Sequence, residues 1–389
     1  MLHLHTRNFI LSVAMLASCS IVLAQAAPQD GAGAYATGNY RNLFLEDGHA
    51  PQETHAKIDA AYQQLFHGDP QTQAIVFSVG KNSNGPLMYL TDWNNHDVRT
   101  EGMSYGMMIA VQLDKKADFD ALWNWTKTYM YISDPKHPSY GYFSWSCKID
   151  GTPNEETPAP DGEEYFAMAL LFAGNRWPGG QGIYDYHAEA LKLLTAMRHR
   201  AVITGPTKFG PRTVGAEVSR AFFVKATNPQ TGLAPDYANF DGTPCKMPFS
   251  SNSSNFAYDA WRTASNWSVD WSWWRKAPAE QQLSDRIQSF FLSQGIDTYG
   301  PVFSLDGKLA APRKGSTPED HAPGLIGTNA VAGLAATDKA RAKQFTEALW
   351  NTPIPSGQSR YYDGMLYMMS FMHLSGEYRI WTPAVAARK

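Results

Sequence analysis

Apolar residues recur along most of the chain at the spacing of an α-helix. Residues 52–67 place five apolar side chains on one helical face, namely Ile58, Ala61, Tyr62, Leu65 and Phe66. Helices are predicted over residues 52–67, 101–116, 118–131, 163–175, 184–198, 216–226, 257–275, 280–294, 338–350 and 364–375. Strand-like alternation is scarce. The pattern predicts an all-α domain of about a dozen helices built from helix pairs.

Clusters of proline and glycine separate the predicted helices, as at residues 158–160 and 177–180. No linker of biased composition and no long run of one charge divides the chain, so we expect a single domain over residues 27–389. Helical periodicity alone does not distinguish a toroid from a solenoid or an irregular bundle.

The first 26 residues have the pattern of a targeting segment. Arg7 precedes an apolar run over residues 9–23, and Ala-Gln-Ala at 24–26 is typical of a signal peptidase site. A rival interpretation is a lipoprotein signal that ends at Cys19. We expect cleavage after residue 26, and therefore a protein that is exported to the periplasm or secreted.

Net charge and aromatic content indicate which classes of ligand the protein could bind. The net charge is −3 with acids and bases intermixed, which argues against a nucleic-acid partner. The chain has 12 Trp, 19 Tyr and 19 Phe, and many of them adjoin polar loop sequence. Flat rings beside hydrogen-bonding groups suit a sugar-binding groove, although a large aromatic core would have the same composition. After processing only Cys147 and Cys245 remain, and either a bridge or two free thiols is compatible with them.

Two carboxylates stand at predicted helix starts. Glu101 is followed by small residues that let another group approach, and Asp161 follows a Pro-Ala-Pro segment. Both have an ordinary alternative, because acidic residues favour helix N-termini through the helix dipole or as caps.

A third carboxylate, Asp259, precedes Arg262 by three residues and is flanked by Tyr258 and Trp261. Such a pair is either catalytic or structural. His321 lies in a loop between an acid and Ala-Pro, where it could meet a ligand or simply be a structural histidine. The sequence contains no Gly-x-Ser-x-Gly, His-Glu-x-x-His or dinucleotide fingerprint.

Taken together, these segments resemble glycoside hydrolase family 8, and within it most of all the reducing-end xylose-releasing exo-oligoxylanases. The resemblance extends from residues 40–44 to residues 361–364. Its most specific motifs are residues 101–116, 142–148, 159–170 and 258–262.

The resemblance implies an (α/α)6 barrel and an inverting hydrolase that needs no metal or organic cofactor. Glu101 corresponds to the family's proton donor and Asp259 to its base. The implied substrate-binding residues are Asp161, Trp145, Tyr258, Arg262 and His321. Among these, His321 would bind the anomeric hydroxyl of the reducing-end xylose. For Glu101 to stay protonated, burial and repulsion from Asp161 must outweigh the helix start. We expect a monomer that acts on xylo-oligosaccharides.

The chain departs from the family pattern between Met197 and Glu217, where it is a few tens of residues shorter. The missing part normally includes a helix and a tyrosine that places the attacking water. The barrel is therefore expected to lack a helix, and one wall of the cleavage site to be open. Two alternatives to the exo-oligoxylanase stay open: an endo-xylanase or endo-glucanase of the same family, and a sugar-binding protein with impaired turnover.

Overall fold

The computed structural model describes residues 31–200, 216–312 and 321–383. Most of this part of the chain is helical. Its α-helices are α1 (Ala34–Thr37), α2 (Leu43–Asp47), α3 (Pro51–His67), α4 (Thr100–Gln112), α5 (Lys116–Trp125), α6 (Pro160–Arg176), α7 (Tyr186–Arg200), α8 (Ala216–Ala226), α9 (Trp261–Trp274), α10 (Ala279–Ser293), α11 (Pro323–Val331), α12 (Lys339–Asn351) and α13 (Arg360–Leu374).

The helices form two concentric layers. In the inner layer α9 packs on α11, α11 on α13, α13 on α4 and α4 on α6. Each inner helix has an outer partner: α10 lies on α9, α12 on α11, α3 on α13, α5 on α4 and α7 on α6. Inner helices such as α11 and α13 are buried on nearly all sides, whereas the outer α3 buries one face. This paired arrangement is the (α/α)6 barrel that the resemblance implies.

Among the described residues the inner layer has five helices, and no inner helix lies between α6 and α9. α8 packs on α10 and contacts α9 through the Arg220–Asp270 ion pair and the Phe223 and Trp267 rings. A cavity of about 150 Å³ runs along the axis, lined by side chains from all five inner helices. Arg262 and Tyr105 lie at one end of this cavity, and His373 and Tyr378 at the other. Residues 201–215, on which the expected absence of a helix rests, lie outside the described part of the chain.

Amphipathic helices were the most predictable part of the fold. In α3 the buried apolar residues are the five that the periodicity selects: Ile58, Ala61, Tyr62, Leu65 and Phe66. The helix predicted from residue 257 begins only at Trp261, after a one-turn 3-10 helix over Tyr258–Ala260. No helix was predicted over Pro323–Val331, where α11 lies. All nine residues of α11 are buried, so it has no polar face to mark its period.

Five short strands lie at the cleft end of the barrel and near it: β1 (Val76–Asn82), β2 (Gly85–Leu90), β3 (Asp97–Arg99), β4 (Ser146–Lys148) and β5 (Pro153–Glu155). β1 and β2 form an antiparallel hairpin that pairs Val76 with Leu90. The order β3-β4-β5 makes a second antiparallel sheet, in which Val98 pairs with Cys147. This second sheet leads directly into α4.

Several predictions concern residues outside those described. The signal segment 1–26, with Cys19, is one of them, and residues 212–215 of the shortened segment are another. In the described part, no helix is both long enough and apolar enough to span a bilayer. Cys147 and Cys245 are both free thiols in the structure, and Cys147 is buried against the carbonyl oxygen of Tyr129.

Candidate active site

A cleft of about 540 Å³ opens at the N-terminal ends of the inner helices. α4, α6 and α13 all point their N-termini at it, and the turn before α9 does the same. Five of the residues singled out from the sequence line this cleft: Glu101, Trp145, Asp161, Tyr258 and Asp259. Arg262 lies just beneath them, at the top of the axial cavity.

The second sheet fixes Trp145 beside the start of α4. The backbone N–H of Thr100 donates to the Trp145 carbonyl oxygen at 2.9 Å. The Trp145 indole donates to Glu155 at 3.2 Å, and the Arg99 guanidinium lies 5.8 Å from the ring centroid. The indole is therefore held as a fixed wall of the cleft, next to the helix that carries Glu101.

Two glycines allow the carboxylates to approach each other and their neighbours. A Cβ on Gly162 would lie 2.5 Å from Thr100, so α6 meets α4 closely and brings Asp161 near Glu101. A Cβ on Gly102 would lie 2.7 Å from the hydroxyl oxygen of Tyr361. With that space free, the Tyr361 hydroxyl lies 3.4 Å from Oε1 of Glu101 and donates to it. The small residues after Glu101 thus have the role that the sequence suggested.

One guanidinium joins the two principal carboxylates. Nη1 of Arg262 donates to Oε2 of Glu101 at 2.9 Å and to the Tyr105 hydroxyl at 2.7 Å. Nη2 donates to Oδ1 of Asp259 at 2.8 Å. Because both bonds share one small planar group, the bonded carboxylate oxygens lie no more than about 8 Å apart. The side chain of Glu101 is 19% exposed and that of Asp259 is 45% exposed, so Asp259 is the more accessible to water.

The surroundings of Glu101 favour its protonated form. Burial is the largest effect and raises the pKa of Glu101, and the negative charges of Asp259 and Asp161 raise it further. The positive charge of Arg262 lowers this pKa without reversing the shift. Desolvation therefore outweighs the arginine, which is the direction that the expected acid role of Glu101 requires.

Asp259 sits on a strained turn. Tyr258 immediately before it has φ of 33°, which is unusual for a residue with a side chain. Two contacts hold this turn: the Tyr362 hydroxyl donates to the Tyr258 carbonyl oxygen at 3.0 Å, and the Asp259 N–H donates to Oδ1 of Asp236 at 2.9 Å. Asp236 thus caps the turn that carries Asp259.

Asp236 was not singled out from the sequence. It lies 23 residues before Asp259 in a Pro-Asp-Tyr loop segment, and only the fold brings the two together. Burial, and then the negative charge of Asp259, raise the pKa of Asp236 to about 7. A Pro-Asp pair beside an aromatic residue was the available signal, but it is common in ordinary turns.

Glu163 is a second residue that the sequence analysis passed over. It is buried below Trp145 and accepts the N–H of Phe143 at 3.2 Å, which supports the loop that carries the tryptophan. Burial raises the pKa of Glu163 to about 8. In sequence it reads as one of two acids in the first turn of α6, which gave no reason to separate it from its neighbour Glu164.

His321 lies apart from the other selected residues. It borders a separate groove beside α12, together with Asp297 and Glu347, and is not among the residues lining the cleft. Its Nδ1 is 3.0 Å from the Tyr299 carbonyl oxygen, and its ring packs edge-on against the Tyr299 ring. The structure therefore brings six of the seven selected residues together and places His321 elsewhere.

Two carboxyl groups held close together in a cleft are the arrangement that glycoside hydrolysis requires. The family model described as Glycosyl hydrolases family 8 matches residues 82–219. The reducing-end xylose-releasing exo-oligoxylanase Rex8A of Paenibacillus barcinonensis is 40% identical over 90% of this chain and 99% of its own length. The corresponding enzyme of Halalkalibacterium halodurans is 38% identical over 90% and 97%. This chain belongs to glycoside hydrolase family 8.

A solved structure is similar over the same extent. It is a catalytic mutant of a family 8 xylanase from Teredinibacter turnerae in complex with xylohexaose, with 45% identity, a TM-score of 0.82, and coverage of 90% of this chain and 100% of that one. The alignment with the Paenibacillus enzyme extends over 390 positions but uses 90% of the 389 residues here, so about 40 positions are gaps on this side.

Asp236 caps the turn that carries Asp259, and two substitutions of Asp236 test this role. Asp236→Ala removes the acceptor for the Asp259 N–H, so we expect kcat for glycoside hydrolysis to fall about tenfold or more with little change in KM. Asp236→Asn keeps an oxygen acceptor, and we expect it to recover most of this loss. Steady-state kinetics with circular dichroism as a folding control would measure both. Equal losses in the two variants would contradict the capping role.

Proposed function

We propose that this chain is an inverting glycoside hydrolase that releases xylose from the reducing end of β-1,4-xylo-oligosaccharides. Glu101 acts as the general acid and Asp259 as the general base. The observation that carries this proposal is the sharing of one arginine by a buried carboxyl group and a more exposed carboxylate. Burial raises the pKa of Glu101, which is the direction that a general acid requires.

The chemistry assigns one step to each residue. Glu101 gives its proton to the glycosidic oxygen, while Asp259 takes a proton from a water molecule that attacks the anomeric carbon from the opposite face. Inverting glycosidases hold their carboxyl groups about 6.5–9.5 Å apart to leave room for this water. The upper bound of about 8 Å set by Arg262 overlaps that range. Trp145 and Asp161 would hold the sugar on the side of the cleft next to Glu101.

The xylose specificity rests on the relatives. Two enzymes that match nearly the whole of their length to this chain bear names that specify xylose release from reducing ends. Xylo-oligosaccharides are therefore the first substrates to test.

A second candidate is an endo-acting xylanase. The Teredinibacter turnerae protein, a xylanase that binds xylohexaose, is 45% identical to this chain. His321, which would close the cleft beyond the leaving xylose in an exo-acting enzyme, borders a different groove here. An unblocked cleft would accept long chains across the cleavage site.

We also propose that the protein is exported, on the strength of residues 1–26 alone. An exported protein processed as expected begins at Ala27. Mass spectrometry of the N-terminal peptide, from protein expressed with its full leader, would check this. A lipid-modified Cys19 at the N-terminus would show that the lipoprotein interpretation is the right one.

Xylotriose with a free or a blocked reducing end separates the candidate functions. We expect xylose and xylobiose from the free-end substrate only, because an exo-acting site must recognise that end. His321→Ala tests the role that the resemblance implies for this residue: a weaker preference for the free end would support that role, and an unchanged preference would agree with the position of His321 in a separate groove. Product chromatography reads both results. Cleavage of both substrates would establish the endo-acting alternative, and binding without cleavage would point to a sugar-binding protein.

The protonation state of Glu101 controls activity at high pH. Because the acid must carry a proton and its pKa is raised, kcat/KM should fall as pH rises through that pKa, above the usual range of a glutamic acid. Asp161→Asn removes a negative charge that raises this pKa, so the fall should move to lower pH. Glu101→Ala should remove turnover at every pH while leaving the fold intact.

The pH profile of kcat/KM and thermal melting curves measure these effects. A fall that moves to higher pH in Asp161→Asn would contradict the electrostatic argument. Turnover at the wild-type rate in Glu101→Ala would contradict the assignment of the acid.

A further inference from the structure

Glu163 is a buried acid beside the active site that has no part in the chemical steps assigned to Glu101 and Asp259. It lies in the first turn of α6, where its Oε1 accepts the N–H of Phe143 at 3.2 Å. Its Oε2 is also buried and makes no hydrogen bond within the described part of the chain. Burial raises the pKa of Glu163 to about 8, so the carboxyl group is neutral at pH 7. The contribution of this side chain is therefore its hydrogen bond and not its charge.

That hydrogen bond completes the pairing of the backbone just before Trp145. Within residues 142–145, three of the four backbone N–H groups donate to backbone carbonyl oxygens at 2.8 to 3.0 Å. The fourth, that of Phe143, donates to Glu163. A buried backbone N–H needs an acceptor, and here the side chain of Glu163 supplies the one that the neighbouring backbone does not.

The Phe143 ring is held as firmly as its N–H. Its centroid lies 5.2 Å from that of Phe166 on α6, 5.8 Å from that of Trp123 on α5, and 5.4 Å from that of Tyr131. The ring is almost completely buried. Trp145 comes only two residues later in the chain, so its position follows that of Phe143.

Three successive residues at the start of α6 contact three parts of the active site. Asp161 lines the cleft. The close approach of Gly162 to α4 sets the distance to the helix that carries Glu101. Glu163 holds the segment that carries Trp145. The hydrogen bond of Glu163 therefore fixes the tryptophan relative to Asp161, with the start of α4 beside both.

We propose that Glu163 is a positioning residue of this glycoside hydrolase, which holds the Trp145 indole in place for a sugar unit through its hydrogen bond to Phe143. It touches no substrate and transfers no proton. The inference rests on the proposed function, in which Trp145 holds the sugar next to Glu101. A displaced indole would weaken the binding of substrate and of transition state alike, so loss of the hydrogen bond should raise KM more than it lowers kcat.

Two substitutions of Glu163 separate its hydrogen bond from its volume. Glu163→Met fills similar space but removes the acceptor, which leaves the Phe143 N–H unsatisfied in the interior. Glu163→Gln keeps a side-chain oxygen acceptor and is neutral, as the acid is at pH 7. Glu164 is the next residue and is exposed, so Glu164→Met is a matched control. If Glu163→Met does not fold, Glu163→Asp takes its place, because the shorter side chain does not reach Phe143.

Hydrogen–deuterium exchange and steady-state kinetics with xylotriose test the proposal. In Glu163→Met we expect exchange over residues 142–148 to become about tenfold faster, and KM to rise about tenfold while kcat changes less than about twofold. Glu163→Gln and Glu164→Met should match the parent protein in both measurements. In a Trp145→Ala background, Glu163→Met should leave KM unchanged, because the ring that it positions is gone. Thermal melting curves check that each variant is folded.

Unchanged exchange in Glu163→Met would overturn the proposal, as would an equal rise in KM with and without the Trp145 ring. A loss in Glu163→Gln as large as that in Glu163→Met would also overturn it. Failure of the proposed function has a different signature, because it shows in the parent protein. If the parent cleaves cellotriose and not xylotriose, the xylose assignment fails, and the same kinetics with cellotriose decide the role of Glu163. If it cleaves neither, the proposed function fails, and calorimetric binding of xylotriose takes the place of KM.

Discussion

The Arg262 guanidinium is the contact on which the site depends. It is a largely buried charge, and a buried charge is tolerable only when its donors find acceptors. Here the acceptors are Glu101, Tyr105 and Asp259, two of which belong to α4 and one to the turn before α9. The interaction that satisfies the arginine therefore also sets the spacing between Glu101 and Asp259. Removing it would leave two carboxyl groups close together without a counter-charge.

Glu101 and Asp259 are both carboxyl groups bonded to Arg262, but their surroundings differ. Both touch the same guanidinium, so the arginine alone cannot separate them. Glu101 is enclosed by α4, α13 and its tyrosine neighbours, whereas Asp259 projects from a strained turn toward water. Burial favours a proton on the first, and access to solvent suits the second to handling a water molecule. Depth in the cleft, more than charge, therefore distinguishes the surroundings of Glu101 from those of Asp259.

Much of this was readable from the sequence, and the failures have clear physical causes. A helix that buries one face, such as α3, shows a helical period of apolar residues in its sequence. α11 is buried on all sides, so its sequence shows no such period. The motif residues around Glu101, Asp161 and Asp259 identified the cleft because each motif is local. Asp236 did not stand out, because its partner lies 23 residues away and only folding joins them. The separate location of His321 depends on how a loop meets α12, which no local pattern encodes.

The arrangement of the described inner helices bears on how the molecule can deform. In a closed ring every inner helix has an inner neighbour on each side, but among the described helices no inner helix joins α6 to α9, and α9 is supported there by α8. Asp161 is at the start of α6 and Asp259 just before α9. A relative movement of α6 and α9 would therefore change the distance between Asp161 and Asp259, whereas the bonds from Arg262 keep Asp259 next to Glu101 on α4.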